Sequence, residues 1–240
     1  MSCNIRVNFI VEGPTEEVFV RDVLKEPLAL SGIYVKARSV EVKRKPIKGT
    51  KYLKTGKQFI IRRGGLLDYN KAKNDIIRWI SEDTEAYITT MFDLYALPDN
   101  FPKYDYAKRN NDPYKRVELL EDAFKAEIDN RRFIPYIQLH EFEGLLFSDV
   151  EAVDEVLKPF HGGSKLAELK AIRDAFDSPE EINDGDETAP SKRLLNLYKS
   201  YEKPTEGSRI AQRIGLDAIR KECKHFNEWL ASLEALAIYR

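Results

Sequence analysis

The most constraining feature of this chain lies near its start, where Asn4 to Val11 alternates and then saturates with apolar residues before breaking at Glu12-Gly13-Pro14-Thr15-Glu16. A run of that kind is a buried strand. Thr15 can cap a helix whose apolar positions are Val18, Phe19, Val23 and Leu24, with Glu16 and Glu17 in the first turn, where the helix dipole favours acids. Strand, glycine turn and helix make the first half of a βαβ unit. A chain that begins this way buries a parallel sheet beneath helices on both faces.

The pattern continues along the first 150 residues. Ile33, Val35, Ala37 and Ser39 predict a second strand running into a basic stretch, where Gly49, Gly56, Gly64 and Gly65 mark a loop or hairpin. Asp75 to Ile80 lies in an amphipathic helix, and Tyr87 to Phe92 is a β-rich run ending at Asp93. Leu97-Pro98-Asp99-Asn100-Phe101-Pro102 forces a loop. Val117 to Ile128 has helical period, Phe133 to Leu139 reads as a short strand, and Glu141 to Phe147 as the start of another helix. Beyond that the pattern is helical, at about 164–176, 191–201, 206–214 and 216–237. The expected organisation is an α/β domain over residues 1–150 and a helical C-terminal lobe over 151–240.

A length of 240 residues is ample for a buried core, and 42% hydrophobic content separates the chain from disordered polymers. No apolar run approaches the roughly 20 residues of a membrane span. The first residues lack the charged and apolar regions of a secretory signal. Two cysteines, Cys3 and Cys223, are too few for a disulfide framework, so a cytoplasmic setting is expected.

The net charge of -1 conceals strong polarity. From Lys36 to Arg63 there are eleven Lys or Arg against the single acid Glu41, whereas Asp174 to Glu187 holds seven acids and no cation. Local polarity of this size governs binding more than the total does. The basic stretch interleaves Lys43, Arg44, Lys45, Lys48, Lys51, Lys54 and Lys57 with Tyr52 and Phe59, which suits phosphate contacts and base stacking. A solvated hairpin whose lysines protect a sheet edge would look the same. Ser191-Lys192-Arg193 follows Ala189-Pro190 as a capped helix start, where Lys192 and Arg193 could also meet a phosphate. The acidic run reads as a solvated loop, His161 as a loop residue, and His225 as part of the last helix.

Ligands of open α/β sheets bind beyond the carboxyl ends of the strands. Acids stand there repeatedly: Glu12 and Glu16 after the first strand, Asp93 after the third, Glu141 and Glu143 after the fourth. Like charges gathered at one edge need a counter-charge, and hard oxygen ligands with no thiolate nearby favour Mg²⁺ or Mn²⁺. On a helix beginning near Glu141, Glu143 points about 200° away, so only one of the two easily reaches a metal. Proximity favours Glu141, a helix start one residue later favours Glu143, and His140 would support either.

The segments IVEGPTEEVFV, MFDLYALP and FIPYIQLHEFEGLLFSD, with INDGDETAPSKRLL and IGLDAIRKECKHFNEWL farther on, resemble the bacterial domain-of-unknown-function family 4276 over nearly the whole chain. That family is similar to Toprim domains, the catalytic units of topoisomerases, bacterial primases and the overcoming-lysogenisation-defect nucleases. The resemblance implies a Toprim-like parallel sheet flanked by helices, Mg²⁺-dependent phosphodiester cleavage in DNA or RNA, and an ATPase partner in phage or plasmid defence. It matches Glu12 to the Toprim glutamate, Glu16 to the second acid of the nuclease opening, and Asp93 to the first aspartate of the Asp-x-Asp motif. The second position of that motif is Tyr95, which removes one expected ligand unless Glu141 or Glu143 replaces it. One-metal and two-metal mechanisms both stand, with Glu12, Glu16, Asp93 and Glu141 as the catalytic set. A non-catalytic Toprim-like subunit that binds an ATPase or nucleic acid is the alternative. A small-molecule phosphotransferase is disfavoured by the lack of a Gly-x-x-x-x-Gly-Lys loop.

Overall fold

The computed structural model describes residues 4–40, 68–183 and 187–238, together with 66 and 185 and the backbone of 45–46 and 59–60. Four parallel pairings build a five-stranded sheet from β1 (Ile5–Val11), β2 (Ile33–Ser39), β5 (Tyr87–Asp93), β6 (Phe133–Ile134) and β7 (Ile137–Gln138), and β3 (Lys45–Pro46) with β4 (Phe59–Ile60) makes a separate antiparallel pair. The order is β2-β1-β5-β6, with β7 also on β5. Both faces are covered by helices, in the α/β class expected.

Period-two alternation on β1 divides the core. Val7, Phe9 and Val11 face one apolar cluster with Phe19, Phe226 and Trp229, while Ile10 faces the other with Ile76, Phe92 and Phe124. The second cluster is roofed by α3 (Tyr69–Glu82) and α5 (Pro113–Ile128). The first takes in α1 (Pro14–Phe19), α6 (Val150–Leu157), α9 (Ser208–Ile214), α10 (Leu216–Glu222) and α11 (Lys224–Ile238). The C-terminal helices therefore share one apolar core with a face of the sheet. Trp229 ties them together, stacked on Tyr136 at 4.1 Å and donating its indole N–H to Thr89 Oγ1 at 2.9 Å.

Local structure departs from the sequence expectation at four places, each for a physical reason. The N-cap of α1 is Gly13, extended at φ -154°, with Pro14 in the first turn and Glu16 Oε2 accepting the Gly13 N–H at 2.9 Å; Thr15 is inside the helix. The strand expected over Phe133 to Leu139 splits at Pro135, which has no N–H to give. There Thr90 Oγ1 bridges the gap by accepting the Tyr136 N–H and donating to the Tyr136 carbonyl, both at 3.0 Å. The helix expected from Glu141 is a 3₁₀ turn, Phe142–Ser148. The acidic run is not wholly solvated: Glu180 is fully buried, and its carboxylate accepts the N–H groups of His225 and Phe226 at 2.9 and 3.0 Å, capping α11.

Among the described residues no helix is long and apolar enough to cross a membrane.

Candidate active site: a carboxylate cluster around a lysine

The carboxyl ends of β1, β5 and β7 meet at one edge of the sheet, and each delivers an acid. The Glu12 N–H prolongs the pairing with β5 by donating to the Met91 carbonyl at 3.2 Å, and Glu12 Oε2 accepts the Asp93 N–H at 3.2 Å. Asp93 Oδ1 accepts the Phe142 N–H at 2.9 Å, which joins the end of β5 to the 3₁₀ turn. His140 takes a left-handed conformation, φ 56°, just after β7, and its carbonyl accepts the Tyr95 N–H at 3.1 Å. That sharp bend sends Glu141 and Glu143 back over the edge of the sheet. Glu143 is fully buried; Glu141, nearly so, accepts the Ser191 N–H at 3.0 Å, at the start of α8 (Pro190–Leu197).

The cation at the centre is Lys203, from the π-helical turn Lys203–Gly207. Its ammonium stands 2.8 Å from Glu143 Oε2 and 3.4 Å from Asp93 Oδ2. Nothing in the sequence distinguishes Lys203 from the other basic residues, since it lies far from the strand ends that mark the acids.

The crowding shows in the proton affinities. Burial pushes Glu12 up to about 7, with repulsion from Glu16 adding to it and Lys203 opposing. Glu143 is likewise pushed up to about 7 by burial, against the pull of Lys203. Asp93 is held well above the usual carboxylate range, first by burial and then by repulsion from Glu12, Glu16 and Glu143, again against Lys203. For Lys203 burial works against its charge, yet Glu143, Asp93 and Glu16 outweigh it and hold the ammonium well above an ordinary lysine. Neighbouring groups held far from their ordinary protonation in one cleft mark a functional site.

The donors suit a hard divalent cation. All are carboxylate oxygens, and Glu143 Oε1 is buried with no hydrogen-bond partner. No three His, Cys, Asp or Glu side chains among the described residues already form a metal cage. Lys203 now supplies part of the counter-charge that the carboxylates need.

Tyr95, at the second motif position, is 46% exposed and lines a cavity to which none of the acids contributes. Lys192 is exposed on α8. The Arg193 guanidinium donates to the Thr188 carbonyl at 2.7 Å and to Asn183 Oδ1 at 3.3 Å. The start of α8, read from the sequence as a capped helix start that could also meet a phosphate, holds the Glu141 carboxylate of the same chain. Lys43, Arg44, Lys48, Lys51, Lys54 and Lys57 lie outside the described residues, as does the side chain of Lys45.

Fold and site together define an α/β domain, a parallel sheet flanked by helices, with its acids gathered beyond the carboxyl ends of the strands. Residues 11–234 match the family described as Domain of unknown function (DUF4276), and the chain belongs to that family. Among solved structures it is similar to the C-terminal region of the Burkholderia pseudomallei OLD protein, at 16% identity and a TM-score of 0.47, over 97% of this chain and 98% of that one. It is similar also to the C-terminal region of the Xanthomonas campestris pv. campestris OLD protein, at 13% identity and a TM-score of 0.43, over 98% and 96%. No curated protein matches the chain.

Proposed function

We propose that this protein is a metal-dependent nuclease of Toprim type that cleaves phosphodiester bonds in DNA or RNA. The observation that carries the reading is the convergence of Glu12, Glu16, Asp93, Glu141 and Glu143 on one sheet edge, with Glu143 Oε1 buried and unpartnered. Glu12, Glu16, Asp93 and Glu143, with Glu141 beside them, would hold Mg²⁺ or Mn²⁺. The bound ion would polarise the phosphorus and lower the pKa of the attacking water. Asp93 is oriented for this by the Phe142 N–H, and Glu141 by the Ser191 N–H. Glu12, pushed up to about 7, can exchange a proton near neutral pH wherever it is not engaged as a ligand. Lys203 stays protonated and supplies positive charge where negative charge develops on a phosphate oxygen. The family resemblance further supports an ATPase partner and a role in bacterial defence.

A second reading, a non-catalytic subunit that binds an ATPase or nucleic acid, is favoured by two observations: Tyr95 stands outside the cluster, and Lys203 already neutralises part of it. One assay separates them. The purified chain is incubated with plasmid and single-stranded substrates in Mg²⁺, Mn²⁺ or EDTA, alongside Glu12→Gln and Asp93→Asn. Cleavage that vanishes in EDTA and falls at least about a hundredfold in both variants is expected. Undiminished cleavage in either variant would remove the cluster from the chemistry, and no cleavage by the wild type would favour the second reading.

A further inference from the structure

Just past Asp93 in the chain, Leu94 and Tyr95 line a cavity of about 230 Å³ together with Tyr104, Lys108, Arg116 and Leu120. Its composition is the opposite of the cluster's: two tyrosines, two cations, two leucines and no acid. Leu94 and Leu120 are buried and make an apolar floor, while Tyr95 keeps 46% of its surface exposed. The Lys108 ammonium lies 5.5 Å from the centre of the Tyr104 ring. The Arg116 guanidinium is held in place, its Nε and Nη2 both donating to the Asn110 carbonyl, at 3.3 and 3.1 Å. A larger cavity of about 580 Å³ lies near Glu151 and Glu222.

Size and chemistry narrow what the smaller cavity can take. It falls below the roughly 300–1,000 Å³ of sites for drug-sized ligands, so it admits one planar ring rather than a whole cofactor. Aromatic side walls over an apolar floor favour a heteroaromatic ring, and cations at the rim favour a phosphate attached to it. Position adds the rest: Tyr95 is two residues beyond Asp93, and its N–H is bound to the His140 carbonyl, at the bend that carries Glu141. A strand whose phosphate lay at the carboxylates would pass the mouth of this cavity. The surrounding segment, Lys103 to Arg116, carries five Lys or Arg against two acids, with three tyrosines among them.

We propose that this cavity is a base-binding subsite, which receives one unpaired nucleobase of the strand next to the bond to be cut. Tyr95 and Tyr104 flank the base, and Lys108 meets its phosphate. A paired base is locked in its stack and cannot enter a cavity, so the site selects single-stranded, frayed or extruded nucleotides. The proposal rests on the nuclease reading above and names its substrate class. It also gives Tyr95 a use that an aspartate in its place could not have.

The test is fluorescence anisotropy of a labelled single-stranded oligonucleotide and of the matching blunt duplex, with the full chain, in EDTA and in Ca²⁺. A second single strand carries 2-aminopurine, whose fluorescence is quenched by stacking. Tyr95 is exposed, so its substitution leaves the fold intact. Tyr95→Ala is expected to weaken single-strand binding about tenfold and to abolish the quenching, the loss of one base–aromatic stack. Tyr95→Phe keeps both, duplex binding is unchanged by either, and Lys108→Ala reduces the salt slope by about one. Wild-type affinity and quenching in Tyr95→Ala would overturn the subsite while leaving the nuclease reading in place. No binding of any nucleic acid by the wild type would overturn both.

Discussion

At 2.8 Å from Glu143 and 3.4 Å from Asp93, the Lys203 ammonium is the cation that lets these carboxylates stand together without metal. Removing one member of such a group leaves the others buried and unmatched, which costs roughly 3–5 kcal/mol for a fully buried pair. Lys203 retains 34% of its side-chain surface, so water screens part of the loss and about 1–3 kcal/mol is the better expectation. Lys203→Met should therefore lower the denaturation midpoint of the chain in EDTA, and Mn²⁺ should restore much of the difference by binding only the folded state. Equal midpoints for wild type and variant in EDTA would mean that Lys203 is not the counter-charge of the cluster. Arginine would be no conservative exchange here, because a planar fork does not fit where a point charge serves two carboxylates.

Among the elements, two connections secure the C-terminal helices to the site. The turn that carries Lys203 is held by Glu206, which stands 2.7 Å from His161 Nε2 and accepts the Glu202 N–H at 2.7 Å. The start of α11 is held by the capping Glu180 and by His225, whose Nε2 lies 3.0 Å from Glu121 Oε1. The same Glu121 oxygen accepts the Ile137 N–H at 2.7 Å, so α5, β7 and α11 meet at one carboxylate. Burial lowers the proton affinity of His225, but Glu121 and then Glu180 outweigh it and raise the pKa above 6.5. A raised histidine pKa means the folded state binds more protons than the unfolded one. The stabilisation is thus complete below pH 6.5 and lost as pH rises through the folded value. Wild type should lose more stability between pH 6 and pH 8.5 than His225→Gln does, measured by urea unfolding at each pH. Parallel profiles for the two would place the dependence elsewhere.

Over the whole molecule, charge is separated while apolar contacts are shared, with the C-terminal helices and one sheet face in a single core. The basic stretch begins on β2, where Arg38 lies over the Trp79 ring and pairs with Glu82 at 3.5 Å, while the side chains from Lys43 to Lys57 lie outside the described residues, and their part in binding is tested in solution. Lys43, Arg44 and Lys45 replaced together by Ala should weaken nucleic-acid binding and lower its salt slope by about two to three, with Mn²⁺ binding untouched. A filter-binding titration with an unchanged slope would return the stretch to the role of a solvated hairpin. Much of the architecture was legible beforehand, because strand and helix periods are local properties of the chain. Asn4 to Val11 and Tyr87 to Asp93 declare themselves by apolar saturation, and parallel strands that share a direction necessarily bring the acids following them to one edge. The sequence by itself therefore determined the parallel sheet, its helical cover and the sheet edge at which Glu12, Glu16 and Asp93 stand, whereas the left-handed bend at His140 and the 3₁₀ turn that bring both Glu141 and Glu143 to that edge were not legible in it. Tertiary structure alone decided what meets them there. Lys203 reaches Asp93 across 110 positions of chain, Glu180 reaches Phe226 across 46, and Tyr104 shares a cavity with Tyr95 only because the loop between them folds back. Those partners are set by the three-dimensional closure of a common core, and no periodicity in a one-dimensional chain records a contact between segments so far apart.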